Sequence, residues 1–155
     1  MFVRDYERAV EQASKTLEMF PDSLLTWWVL GLAQMCRSRY SEAIAALERA
    51  VAISDDAMSI TYLGCAQARA GRVDLALSTV QNLLSRSSRE HVPPRCFVFL
   101  YAAISDQDRA LEWLEKAHDA SDSGLFWLRV MPLYDPLRTT PRFKEMLHRV
   151  GLPPD

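Results

Sequence analysis

The stretch LGLAQMCRSRYSEAIAAL at residues 30–47 is written again 33 residues later as LGCAQARAGRVDLALSTV at 63–80. Both copies open on Leu-Gly-x-Ala-Gln, pass through a polar turn and reach an Ala set among apolar residues. Aligned on that alanine, the chain carries Ala9, Ala43, Ala76 and Ala110, separated by 34, 33 and 34 residues. A fixed period of this length marks stacked supersecondary units, none of which buries its apolar face alone. Within one unit, Trp27, Leu30, Gly31 and Gln34 are spaced i, i+3, i+4, i+7 and share one helix face. Gly31 and Ala43 are small where the two helices of a pair approach closely.

The local signals agree with helix throughout. Only five of the 155 residues are glycine, Ala, Leu, Arg and Glu are abundant, and no segment shows strand alternation. Helices are expected near 4–19, 23–37, 40–53, 57–70, 73–86, 94–104, 107–120, 124–130 and 140–150. Pro21 closes the first, Asp22 or Ser23 caps the second, Gly71 ends the fourth and Asp122–Gly124 breaks the seventh. Pro93 and Pro94 suit the first turn after the polar connector at 85–94. Asp55-Asp56 and Asp106/Asp108 fall in inter-helix turns, where capping is their expected work.

The pattern resembles the tetratricopeptide repeat, which runs Trp-x-x-Leu-Gly-x-x-Tyr, then Ala-x-x-x-Phe and a closing Pro over about 34 residues. Trp27, Leu30, Gly31, Tyr40, Ala43, Leu47 and Ala50 carry it in one copy. Ile60, Leu63, Gly64, Gln67, Val73, Ala76 and Val80 carry it in the next, and Phe97, Val98, Tyr101, Ala110, Leu114 and Ala117 in the third. Gln stands twice for the usual aromatic residue, Ile60 for Trp, and Leu83 for a small Ala. The resemblance implies an all-α, right-handed solenoid of antiparallel helix pairs, with about three and a half repeats and a divergent C-terminal cap. Residues 1–155 then form one domain: 1–22 the second helix of a truncated repeat, repeats at 24–56, 57–90 and 91–123, and capping helices over 124–155.

A narrower likeness covers about residues 24–153. DQDRALEWLEKAHD, then FWLRVMPLYDPLRTTPRFKEMLHRVGLP, looks like the C-terminal end of repeat arrays in large bacterial signalling proteins, behind adenylate cyclase, Ser/Thr kinase or winged-helix regulator modules. The DPLR-x-x-PRF segment, Asp135 to Phe143, is its most specific part. It implies a regulatory or scaffolding appendage, in the cytoplasm, with no catalytic residues of those modules.

Chemistry has little to work with. No phosphate-binding glycine loop, nucleophile elbow or zinc-protease motif occurs. His91, His118 and His148 lie far apart, and Cys36, Cys65 and Cys96 form no CxxC, so neither metal nor cofactor is expected. Net charge is −2, which gives no field for nucleic acid. Arg138, Arg142, Lys144 and Arg149 read as a solvated last helix. No apolar run reaches the roughly 18 residues of a membrane span, and the N-terminus carries no signal peptide.

The expected activity is therefore non-catalytic protein–protein interaction, with a protein or peptide partner. First helices of such repeats line a concave groove. Leu25, Trp28, Leu32 and Met35 would line it in one copy, Thr61, Cys65 and Arg69 in the next, and Arg95 and Phe99 in the third. Trp28 and Phe99 would anchor the ligand, and Arg69 and Arg95 would clamp it. The competing reading fills the groove with the final helices or a neighbouring copy. Chaperone-tail binding is rejected, because the positions corresponding to its carboxylate-holding Lys and Asn are Trp28, Leu32, Thr61 and Cys65, which offer no charge. An alternative function is self-association of attached effector domains. As a second helix without its first, residues 4–19 would present Tyr6, Val10, Ala13 and Leu17 as an adhesive stripe for a homodimer.

Overall fold

A computed structural model gives the fold and describes residues 5–153. Every regular element among the described residues is helical, and the helices pack in consecutive pairs, consistent with a tetratricopeptide-like helical solenoid. The chain divides into two compact units, one ending at Thr79 and the other beginning at Val80.

The first unit contains α1 (Tyr6–Met19), α2 (Leu24–Cys36), α3 (Tyr40–Ile53) and α4 (Ala57–Arg69). Next comes α5 (Val73–Arg86), within which the division falls. In the first unit α2 packs against α1, α3 and α4. Its core is built from small residues: Ala43, Ala50 and Ala66 are completely buried. Gly31 faces Leu47, one turn beyond the expected Ala43; a methyl built on Gly31 would come within 2.6 Å of Leu47 Cδ2. Helices at this separation leave no room for a Cβ.

The second unit contains α6 (Arg95–Ala103), α7 (Gln107–Asp119), two 3-10 helices (Ser123–Trp127 and Pro132–Leu137) and α8 (Pro141–Arg149). Sequence periodicity expected an α-helix over 124–130 and nothing regular over 132–137. The 3-10 segments explain the difference. Pro132 opens the second and Pro136 lies inside it, so an α-helical hydrogen-bond ladder is not available there.

The repeat is also written in the backbone. The residue after the C-cap of α2, α4 and α6 is in each case left-handed: Ser38 (φ 59°), Gly71 (φ 88°) and Ser105 (φ 65°). These positions are again 33 and 34 residues apart. In each turn the next amide closes a six-residue loop onto the helix: Arg39 N–H donates to Gln34 O, Arg72 to Gln67 O and Asp106 to Tyr101 O, all at 2.9 Å. This is the Schellman stop. It reverses the chain into the second helix of each pair, and only Gly71 meets it with the residue free of left-handed strain.

Candidate functional site

On α2, Gly31 and Met35 are buried on one face, and Trp27 is half-buried there with its indole N–H donating to Pro21 O at 2.7 Å. On the other face, Leu25 is 67% exposed and Val29 42%, with Leu32 and Cys36 half-buried. Between Leu24 and Cys36 there is no charged residue. Just before the helix, Met19 (70%) and Phe20 (61%) are also exposed, and they line an open hollow of about 470 Å³ with Pro21, Asp22 and Ser23. Ser23 is the N-cap of α2, but its Oγ pairs with Thr26 Oγ1 at 2.7 Å and makes no backbone cap.

Trp28 stands between α2 and α4. Its indole N–H donates to Ser59 Oγ (2.9 Å), and its ring meets Tyr62 edge-on at 5.4 Å. The Ser59 hydroxyl in turn donates to Asp56 Oδ2 (2.8 Å), while Asp56 Oδ1 accepts the N–H groups of Met58 (2.9 Å) and Ser59 (3.0 Å). Asp56 is thus the α4 N-cap and the end of a relay that begins on α2. Burial disfavours its charge, but the Ser59 N–H, the Ser54 and Ser59 hydroxyls and the Met58 N–H outweigh it and hold its carboxyl below the ordinary range.

A depressed folded-state pKa means stabilisation that is present above the unfolded value and lost as pH falls through the folded one. The stability gap between wild type and Asp56→Ala should therefore hold at about 1 kcal/mol from pH 7 to 5, and shrink below about pH 4. Denaturant melts of both proteins across that range measure it; a gap that grows on acidification would reverse the sign.

The structure redistributes the expected groove residues. In the first unit Leu25 is open, Trp28, Leu32 and Arg69 are half-buried, and Met35, Thr61 and Cys65 are buried within the chain. Thr61 spends its hydroxyl on Ala57 O (2.6 Å). Trp28 is fixed to α4 by its N–H and its ring edge, so it is a joint between two helices and not a free anchor.

In the second unit both expected contacts are covered. Phe99 is 3% exposed, its ring 4.9 Å from Tyr134 on the second 3-10 helix, which packs on α6. The expectation of Phe99 as an accessible anchor is corrected accordingly. Arg95 is no clamp: its guanidinium is ion-paired with Asp122, whose carboxylate also accepts the N–H groups of Arg95 (3.2 Å) and Gly124 (2.9 Å). The Asp122 side chain is 2% exposed, and the pair joins the start of α6 to the turn after α7.

The α1 stripe is likewise less open than expected. Ala13 is buried, and Tyr6, Val10 and Leu17 are half-buried on a helix that packs against α2.

Sequence reasoning missed Arg138. Read as part of a solvated run, it is 17% exposed and bonds Asp135 Oδ1 (2.6 Å), Leu128 O (2.9 Å) and Met131 O (3.1 Å). It also lies over the Phe143 ring. The Asp-Pro-Leu-Arg spacing that made this segment distinctive is a clasp: Asp135 orients Arg138, which ties the 3-10 helices together ahead of α8. Phe126 (80%) and Trp127 (62%) are exposed as well, which no periodicity in the sequence indicates. Phe126 borders a hollow of about 310 Å³ with His118, Leu125, Val150 and Leu152.

No group of His, Cys, Asp or Glu among the described residues is placed to hold a metal ion, and no described helix is long and apolar enough to cross a membrane. Cys65 and Cys96 are buried and Cys36 is half-buried.

The tetratricopeptide repeat family matches residues 1–57, the stretch that holds α1, α2 and α3, and this part of the chain is similar to that family. No curated protein matches the chain.

Proposed function

We propose that the chain is a non-catalytic protein-interaction module that binds an amphipathic helix of a partner protein along the open face of α2. The observation that carries this reading is the row Leu25, Val29, Leu32 and Cys36, apolar and accessible on a helix with no charge. Soluble proteins seldom leave contiguous apolar surface uncovered unless something binds there. The similarity of residues 1–57 to tetratricopeptide repeats, which generally mediate protein–protein contact, supports the same class of function. The proposed setting is a regulatory or scaffolding part of a larger bacterial signalling protein in the cytoplasm, with protein and not nucleic acid as the partner. The likeness of Asp135–Phe143 to the ends of such arrays supports that setting.

The probe is a labelled synthetic peptide of about two heptads, with Leu and Val alternating at three- and four-residue intervals. Its fluorescence anisotropy should rise on titration with the wild-type chain. Leu25→Glu should weaken binding by roughly 30-fold or more, the scale of losing a hot-spot side chain. Because Leu25 is exposed, the melting temperature should stay within the small range typical of surface changes. Equal binding by wild type and Leu25→Glu would refute the α2 surface.

A further inference from the structure

We infer that the open face of α2 is occupied by α2 of a second copy of this chain, so that two copies pair helix to helix. The inference rests on the reading of α2 as the interaction surface and names its occupant. Leu25, Val29, Leu32 and Cys36 follow one another at intervals of four, three and four residues. That alternation keeps one seam of a helix turned toward a second helix, each side chain seated among four of the other. In heptad terms Leu25 and Leu32 take d, and Val29 and Cys36 take a. Leu at d with a β-branched residue at a, met here at Val29, favours two strands.

Three further features fit a copy of the same surface. The face carries no charge, so an isologous contact, which sets each patch against itself, meets no like-charge repulsion. Met19 and Phe20, just ahead of the helix in the chain, are exposed apolar residues as well. The helix is already formed and held by α1, α3 and α4, so pairing does not bear the nucleation penalty that leaves a free helix of this length marginal. A two-heptad seam sits at the small end of interface sizes, below about 1,200 Å² in total, so the association should be micromolar and reversible.

Exposed Val73, Leu77 and Leu84 on α5 repeat the spacing, but the seam position between them, Val80, is 1% exposed, so that row is interrupted. Two other rival surfaces lack the geometry altogether. The α1 stripe is half-buried against α2, and Phe126 and Trp127 are consecutive residues on a 3-10 turn, which present no seam.

Sedimentation equilibrium of the full chain from low to high micromolar concentration tests the pairing. Wild type should fit a monomer–dimer equilibrium. Leu25→Glu/Val29→Glu should weaken it by roughly 30-fold or more, with unchanged helical circular dichroism and melting, since both positions face solvent. Phe126→Ser/Trp127→Ser should dimerise like wild type. A dimer that survives the α2 double variant, or that dissolves in the Phe126/Trp127 variant instead, overturns the inference. So does a wild type that remains monomeric at high micromolar concentration. If that monomer still binds the heptad peptide, only the second copy is refuted and the α2 surface stands; if it binds nothing, both fall.

Discussion

Phe99→Ala should unfold the second unit at a markedly lower temperature than wild type, and should not behave as a surface change. The ring is 3% exposed and meets Tyr134 edge-on at 4.9 Å; Tyr134, fully buried, lies 6.0 Å from Phe143. Three aromatic rings from α6, the second 3-10 helix and α8 therefore share one cluster. Truncating the first leaves a cavity that the proline-bearing 3-10 helix is poorly able to fill by moving. The expected loss is about 3–5 kcal/mol, which for a chain of this size lowers the melting temperature by roughly 10 °C. Leu25→Ala on α2 provides the contrast, with an effect of about 0.5 kcal/mol or less. Calorimetric melts of the two variants side by side measure the difference. An unshifted melt for Phe99→Ala would mean that the ring lies on an accessible wall after all.

Asp122→Ala should destabilise the same unit by about 3 kcal/mol. Its side chain is 2% exposed and its carboxylate accepts the Arg95 and Gly124 N–H groups, besides pairing with the Arg95 guanidinium. Removing it strands two backbone donors and one cation. The cation reaches solvent in part, at 23% side-chain exposure, which keeps the loss below that of a fully enclosed pair. Asp122→Asn keeps an acceptor for one N–H and gives up the charge, so it should fall between wild type and Asp122→Ala. Gly124 adds a steric reason for the arrangement: a Cβ there would run into the Arg95 side chain, 2.9 Å from Nε. Chemical denaturation of the three proteins at neutral pH gives the ranking; an Asp122→Ala variant as stable as wild type would remove the pair from the list of structural joints.

These two joints mark the limit of what the sequence discloses. The helices of the repeats were legible because their signal is local: small residues at Ala43, Ala76 and Ala110, a polar turn after each first helix, and Asp56 and Asp106 poised as caps. Both aspartates do cap, Asp106 accepting from Arg109 N at 3.1 Å. The left-handed Ser38 and Ser105 were hidden, because serine carries no conformational label as glycine does at 71. The cover on α6 was hidden for a different reason. Tyr134 arrives from 35 residues downstream on a 3-10 helix, where no 3.6-residue periodicity announces a buried face.

Charge misled in the same region. Arg138 sits among Arg142, Lys144 and Arg149 and reads as solvated, yet its guanidinium satisfies two backbone carbonyls. On α2, by contrast, apolar residues on both faces were plain from the sequence. What the structure adds is which face each partner helix takes: Gly31 and Trp27 turn inward, Trp28 bridges to α4, and Leu25 and Val29 are left outside.

The proposed interaction surface is this outer face of α2. Amide chemical-shift mapping tests it residue by residue, with the heptad peptide titrated into isotope-labelled chain held dilute enough to be monomeric. The largest shifts should fall on Leu25, Val29, Leu32 and Cys36, with Phe99, Tyr134 and Trp127 unmoved. Shifts centred on α6 and its 3-10 cover, or on Phe126 and Trp127, with α2 silent, would contradict it.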